Sequence, residues 1–277
     1  MKKILYIFIQ IIALNCIGQN LVPNPSFEQY TICPDSWSEL SNCLSWNSFS
    51  GSPDYYNECT PYQPPVGYYF GCPNNYMGFQ YPHSGNAHIG VFTFFNQLLN
   101  QREFIGTQLL LPLSVGQKYF ISFYVNLGGQ GQATIASNKM GVKFSTVPYS
   151  FSNPTPINNI AHFYTDSIIT DTAKWTKISG SFIADSAYSY IMIGNFFNDS
   201  LTDTLNLAPT NNVYAYYYLD DVCISTDSLY CENWLGVKEQ SVNKEDVTIY
   251  PNPCTNKLNV QFNNVPNEYT TISILDI

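Results

Sequence analysis

Lys118-Tyr119-Phe120-Ile121-Ser122-Phe123-Tyr124-Val125 is a run of aromatic and β-branched residues that ends on Asn126 and the pair Gly128-Gly129. From Gln108 onward the hydrophobic period is two, as in a strand, and no stretch carries the period of an amphipathic helix. The same pattern predicts further strands at Met140–Ser145, Trp175–Ala184, Ser189–Asn195 and Val213–Ser225. Leu113-Ser114-Val115-Gly116 and Asn153-Pro154-Thr155-Pro156 supply the Gly, Pro and Asn that turns require. Many strands with turn signals between them predict an all-β fold, a β-sandwich.

Composition agrees. Of 277 residues only 11% are charged, while 16% are aromatic and 29 are Asn. Aromatic side chains suit a pleated, half-buried surface. Disorder needs low hydrophobicity with high net charge, and coiled coils need an excess of Ala, Glu, Lys, Leu and Arg, so both are excluded. With 11 basic against 20 acidic residues and a formal net charge of −9, the chain has no basic stripe to neutralise phosphates, which excludes nucleic acid as a partner.

Lys2 and Lys3 precede an apolar run from Ile4 to Leu14, long enough for a signal-peptide core and too short to span a bilayer. Cleavage is expected after Gly18, leaving Gln19 first; lipidation at Cys16 is the alternative, disfavoured by Asn15 before it. No transmembrane span is expected in the mature chain, whose longest apolar stretch is Leu109–Leu113. In an oxidising compartment Cys33, Cys43, Cys59, Cys72, Cys223 and Cys231 read as three disulfides between sequence neighbours, although six cysteines allow fifteen connectivities. Zinc would need tighter spacing. Cys254 is left over.

The segment 29–81 differs from the rest. It holds four of these cysteines, two tryptophans and many tyrosines, with little alternation, and reads as a disulfide-pinned insertion on the sandwich. Such excursions are where binding usually sits. Trp46, Tyr55, Tyr56, Tyr68 and Tyr69 are therefore the candidate ligand-binding residues, because aromatic faces stack on sugars while Asn, Gln and Asp bond their hydroxyls.

Five phrases resemble the jelly-roll carbohydrate-binding modules of the galactose-binding-like type. These are Asn20-Leu21-Val22-Pro23-Asn24-Pro25-Ser26-Phe27-Glu28, the stretch from Tyr81-Pro82-His83-Ser84-Gly85 to Gly90, Leu113–Val125, Trp175 with Ser179-Gly180-Ser181-Phe182, and Tyr218-Leu219-Asp220-Asp221-Val222. The resemblance implies a jelly roll over 19–228 and a structural Ca²⁺ held by Glu28 and Asp220, with Asp221 and carbonyls near Ser26 as further ligands. Pro25 stands where Gly is common, and the Cys- and Tyr-rich segment is not part of the general pattern.

After a linker at 229–245, residues 246–277 resemble something else. Val247-Thr248-Ile249-Tyr250-Pro251-Asn252-Pro253 with Leu258-Asn259-Val260, then Ile272-Ser273-Ile274-Leu275-Asp276-Ile277, looks like the opening of a type A sorting domain of the type IX secretion system. The family continues with a "GK" turn and a "GxYxL" strand, so this copy reads as truncated, and the resemblance implies export to the outer surface by that machinery. Asp followed by Ser or Thr and a small or apolar residue occurs six times, at Asp166, Asp171, Asp185, Asp199, Asp203 and Asp227, against about 0.5 expected from composition. That excess resembles an O-glycosylation motif of bacteria with this secretion system; Asx turns before strands are the alternative.

No catalytic set converges in the sequence. His83 and His88 are expected on opposite faces of a strand, Ser84 lacks a nucleophile elbow, and nothing pairs Asp35, Glu39, Asp54, Glu58 or Glu103. Gly128-Gly129-Gln130-Gly131 has no helix or Lys behind it to cradle phosphate. The reading is a secreted or cell-surface, non-catalytic binding module for glycan, with a protein-binding adhesin or structural envelope component as the alternative.

Overall fold

In the run 118–127 the alternation buries one face completely: Tyr119, Ile121, Phe123, Val125 and Leu127 all lie in the main core. Each such side chain contributes roughly 1.5–3 kcal/mol when fully buried. A computed structural model describes residues 19–60, 70–128, 134–148, 157–208, 214–232, 247–250 and 259–262. Gly18, Tyr68, Tyr69 and Cys254 lie outside the described residues.

In chain order the strands are β1 (Trp46–Ser50), β2 (Asp54–Asn57), β3 (Asn74–Asn75), β4 (Gly78–Phe79), β5 (Ala87–Phe95), β6 (Phe104–Gln108), β7 (Lys118–Leu127) and β8 (Ile135–Ser137). They continue with β9 (Met140–Ser145), β10 (Phe163–Tyr164), β11 (Thr176–Ile183), β12 (Tyr190–Asn195), β13 (Thr204–Asn206), β14 (Tyr214–Ser225), β15 (Val247–Tyr250) and β16 (Asn259–Phe262). One five-residue helix, α1 (Ser228–Glu232), follows β14. No described helix is long and apolar enough to cross a membrane.

Two five-stranded antiparallel sheets form the sandwich. The front sheet runs β1-β6-β12-β9-β10 and the back sheet β11-β7-β14-β5-β2. The chain crosses repeatedly from one to the other, as a jelly roll does. Inward side chains of both, such as Ile105, Ile191 and Ile193 in front and Ile89, Val91 and Leu219 behind, make one core. The Lys238–Ile277 unit is separate from Met1–Val237 and contains the antiparallel hairpin β15-β16, registered from Val247 opposite Phe262 to Tyr250 opposite Asn259.

The insertion is partly sandwich. Its residues form β1 and β2, the edge strands of the two sheets, and its later part covers the outside of the back sheet, where Phe70 and Met77 pack with Tyr56, Tyr216 and Tyr218. The expected pairing of sequence neighbours is corrected at two of three bridges. Cys33 bonds Cys59, Cys223 bonds Cys231 as expected, and Cys43 and Cys72 carry no disulfide. Cys43 sits opposite Tyr30 in an isolated bridge and is buried in the main core, accepting from Asn24 Nδ2 at 3.4 Å. Cys72 lies 3.4 Å from Nδ1 of buried His88.

Glu103 is almost fully buried at the start of β6. Its Oε1 accepts from Ser52 N and Oγ, both at 2.9 Å, and its Oε2 from Phe92 N at 3.0 Å. Burial outweighs these donors and raises its pKa to about 7 from an ordinary 4.5. The folded protein therefore binds more proton than the unfolded chain between those values, and stability present below about pH 4.5 is lost as pH rises through 7. Glu103→Gln is expected to reduce the fall in unfolding free energy between about pH 5 and pH 8 by on the order of 2–3 kcal/mol, measured by urea denaturation across that range.

Candidate binding groove and acidic clasp

The predicted ligand-binding aromatics are core residues. Trp46 points inward from β1, donating Nε1–H to Asn24 O at 2.9 Å and packing on Phe27 at 5.0 Å between ring centroids. Tyr55 donates to Phe27 O at 2.9 Å, and Tyr56 shares a 2.9 Å hydrogen bond with Tyr216. All three are 0–1% exposed, so none can offer a face to a ligand. Their place in the cysteine- and tyrosine-rich insertion suggested exposure, but the N-terminal segment covers Trp46 and Tyr55, and Tyr56 packs with Phe70, Met77 and Tyr216.

The open surface lies on the outer face of the front sheet. Along the front sheet, alternation turns Asn47 and Phe49 of β1, Phe104, Gly106 and Gln108 of β6, and Tyr190 and Met192 of β12 away from the main core. Phe49, Phe104 and Met192 pack there with Phe196, and Tyr190 rests half-buried against them. Gly106 makes this possible: a Cβ there would sit 1.8 Å from the Phe49 ring, so the ring lies directly on the strand. Strand glycines of this kind mark close approach. A groove of about 810 Å³ opens beside Phe49. Half-buried Tyr190 and exposed Pro148 give it apolar surface above the buried Phe49 ring, and Asn47, Ser48 and Gln108 give it exposed polar groups. No lining residue is charged. Sequence reading missed these residues; the available signals were an aromatic on the outward parity of β12 and Gly106 inside β6.

Glu28, Asp220 and Asp221 come together elsewhere, where β14 meets the first residues of the fold. Past Leu219, β14 leaves β5, and residues 20–26 take its place: Leu21 N donates to Ile224 O at 2.8 Å and Val222 N to Pro25 O at 2.9 Å. A bulge between Asp220 and Cys223, with Asp221 at φ +52°, turns both carboxylates inward. Asp220 accepts from His83 N at 2.8 Å, Ser84 N at 3.2 Å and Asp221 N at 2.7 Å. Asp221 accepts from Ser26 Oγ and Ser84 Oγ, both at 2.7 Å, and meets His83 Nδ1 at 2.5 Å. Glu28 Oε1 accepts from Asn86 N at 2.8 Å and Ala87 N at 3.1 Å.

Burial raises the Glu28 pKa to about 7, and burial together with the Asp221 charge lifts Asp220 well above the carboxylate range. The clasp thus ties the 83–87 turn and the N-terminal segment to β14. The carboxylate oxygens of the clasp accept from N–H and O–H donors, and among the described residues no group of three or more His, Cys, Asp or Glu is arranged to hold a metal ion. His88 is fully buried and its pKa falls to about 3 for that reason, whereas His83 stacks on Tyr124 at 3.6 Å. Of the six Asp-Ser/Thr motifs, Asp171 and Asp227 make Asx turns, accepting from Ala173 N at 2.8 Å and Leu229 N at 2.9 Å.

No protein-family model matches the chain, and no curated protein matches it. Among solved structures it is similar to the CBM22-1 xylan-binding domain of Paenibacillus barcinonensis Xyn10C, with 15% identity, 76% of this chain and 95% of that chain covered, and a TM-score of 0.37. It is also similar to the K1 cleaved adhesin domain of Lys-gingipain from Porphyromonas gingivalis W83, with 16% identity, 73% and 96% covered, and a TM-score of 0.36. A third is TmCBM61 in complex with beta-1,4-galactotriose, with 11% identity, 74% and 97% covered, and a TM-score of 0.34.

Gly106→Ala is expected to displace the Phe49 ring and to destabilise the fold by about 1–3 kcal/mol through overpacking, read as a lower unfolding midpoint. An unchanged midpoint would show that Phe49 does not lie against this strand.

Proposed function

We propose that this protein is a secreted or cell-surface, non-catalytic module that binds a neutral glycan in the front-sheet groove. The observation that carries this reading is the groove's lining: apolar surface from Tyr190 and Pro148 beside exposed amides and a hydroxyl, with no charged side chain. Sugar rings present apolar C–H faces and hydroxyl edges, which such a lining matches, and an anionic saccharide would find no cation there. Two disulfides support an oxidising destination. The motif at 247–260 supports export by the type IX secretion system.

In native gels containing neutral polysaccharides such as xylan, β-glucan, galactan or mannan, the protein is expected to be retarded by at least one. Tyr190→Ala is expected to abolish that retardation without lowering the unfolding free energy by more than about 1–2 kcal/mol. Absence of retardation in every gel, or retardation that survives Tyr190→Ala, rejects the reading.

The clasp is where the proposal places calcium. Glu28, Asp220 and Asp221 repel one another there in a buried setting, and with Ser26 and Ser84 they form a set of hard oxygen donors of the kind Ca²⁺ prefers. The ion would compete with the N–H and O–H groups that these oxygens now accept from. Adding Ca²⁺ to chelated protein is expected to raise the unfolding midpoint by roughly 2–4 °C or more. No shift at millimolar Ca²⁺ removes the ion from the proposal and leaves the groove untouched.

A further inference from the structure

His162 precedes β10, and the bonds on its two ring nitrogens allow one protonation state. Nδ1 accepts the Phe144 backbone N–H at 3.0 Å, so that nitrogen carries no proton. Nε2 lies 3.0 Å from Tyr188 Oη, and Tyr188 donates its hydroxyl to Asp185 Oδ1 at 2.5 Å. The direction of the chain follows: Phe144 N–H to His162, His162 Nε2–H to Tyr188, Tyr188 O–H to Asp185. Rings of Phe144, Phe182 and Tyr188 enclose the imidazole at 4.9–5.5 Å. The ionisable groups facing it are Tyr188 and Asp185 from the turn before β12 and Lys143 from β9. Burial is the strongest influence and disfavours its charged form; Lys143 acts the same way and Asp185 opposes.

This chain ends on the turn that leads into β12, and backbone bonds hold the residues that follow it. Tyr188 O accepts from Leu113 N at 2.8 Å, Ser189 O accepts from Leu109 N at 2.8 Å, and Ser189 N donates to Ser145 O at 2.9 Å. The next residue, Tyr190, is in register with Gln108 on one side and Ser145 on the other. Tyr190, Gln108 and Leu109 all line the groove.

We propose that His162 is a pH-sensitive latch on the groove, an inference that rests on the groove being the binding site. Neutral, it fixes the Asp185–Tyr188 turn and with it Tyr190. Protonated, its Nδ1–H meets the Phe144 N–H donor to donor, the turn is released, and binding weakens.

The test is a pH titration of the ¹⁵N-labelled full chain between about pH 7.5 and pH 5. At the upper end His162 is expected as the Nε2–H tautomer. On acidification the amides of Phe144 and Tyr190 are expected to shift together with the imidazole. In His162→Gln, which keeps an acceptor and a donor without titrating, they are expected to stay still. Retardation of the wild type by xylan, or by whichever neutral polysaccharide retards it, is expected to weaken on the order of fivefold over this range, the effect of losing one buried hydrogen bond. Tyr188→Phe is expected to show the weakened value at both ends.

The latch is overturned by an Nδ1–H tautomer, by a Tyr190 amide that ignores the imidazole titration, or by a pH response that persists in His162→Gln. If no polysaccharide retards the wild type, the groove reading fails, and the spectra still decide whether the latch moves Tyr190.

Discussion

Strand β14 runs through the middle of the back sheet with both faces covered along 215–225, so the hydroxyls of Tyr216, Tyr217 and Tyr218 must find partners inside the protein. Tyr217 turns into the main core and donates to Ile169 O at 2.7 Å. Tyr216 and Tyr218 turn outward, donating to Asp54 Oδ2 at 2.7 Å and Asn75 Oδ1 at 2.6 Å. Both acceptors belong to the segment 29–81. The cysteine- and tyrosine-rich insertion is therefore held down by the central strand's need for acceptors as well as by the Cys33–Cys59 bridge. Its Tyr56 and Phe70 serve that second core, while its Trp46 and Tyr55 join the main one.

The same economy governs charge. Few residues are ionisable, yet Asp54, Arg102, Glu103, Asp220 and Asp221 are all buried. Arg102 pairs with Asp199 at 2.8 Å, and the acids accept mainly from backbone N–H, hydroxyl and imidazole groups that would otherwise be unsatisfied. Buried carboxylates hold turns to strands: Glu103 holds 51–52, Glu28 and Asp220 hold 83–87. Several keep elevated pKa values as a result, which makes the fold sensitive to pH in the neutral range.

Covering the back sheet leaves the front sheet as the surface where a groove opens, beside Phe49 and Tyr190. Its shape depends on two glycine positions where a side chain could not fit. Gly106 lets the Phe49 ring lie on β6, and Gly194 leaves room for Phe104 beneath the same cluster. The groove also depends on the residues around the start of β12, where the hydrogen bonds of His162 and Tyr188 meet those of Ser189.

Period-two alternation in 118–125 and 214–225, with Gly and Pro between runs, determined an all-β sandwich, because residues of one parity had to share a face and only a second sheet could cover it. The strands at 140–145 and 190–195 were legible for the same reason. Cysteine count implied bridges, but pairing was decided by the packed chain, which buries Cys43 beside Asn24 and sets Cys72 beside His88. Composition placed aromatics in the insertion without saying whether they point out or in. Burial of Trp46 and Tyr55 was settled by the N-terminal segment, through Asn24 and Phe27, and that of Tyr56 by Tyr216 on a strand 160 residues away. The groove is assembled from β1, β6 and β12, which are distant in sequence and adjacent only through sheet order, so no local pattern could display it.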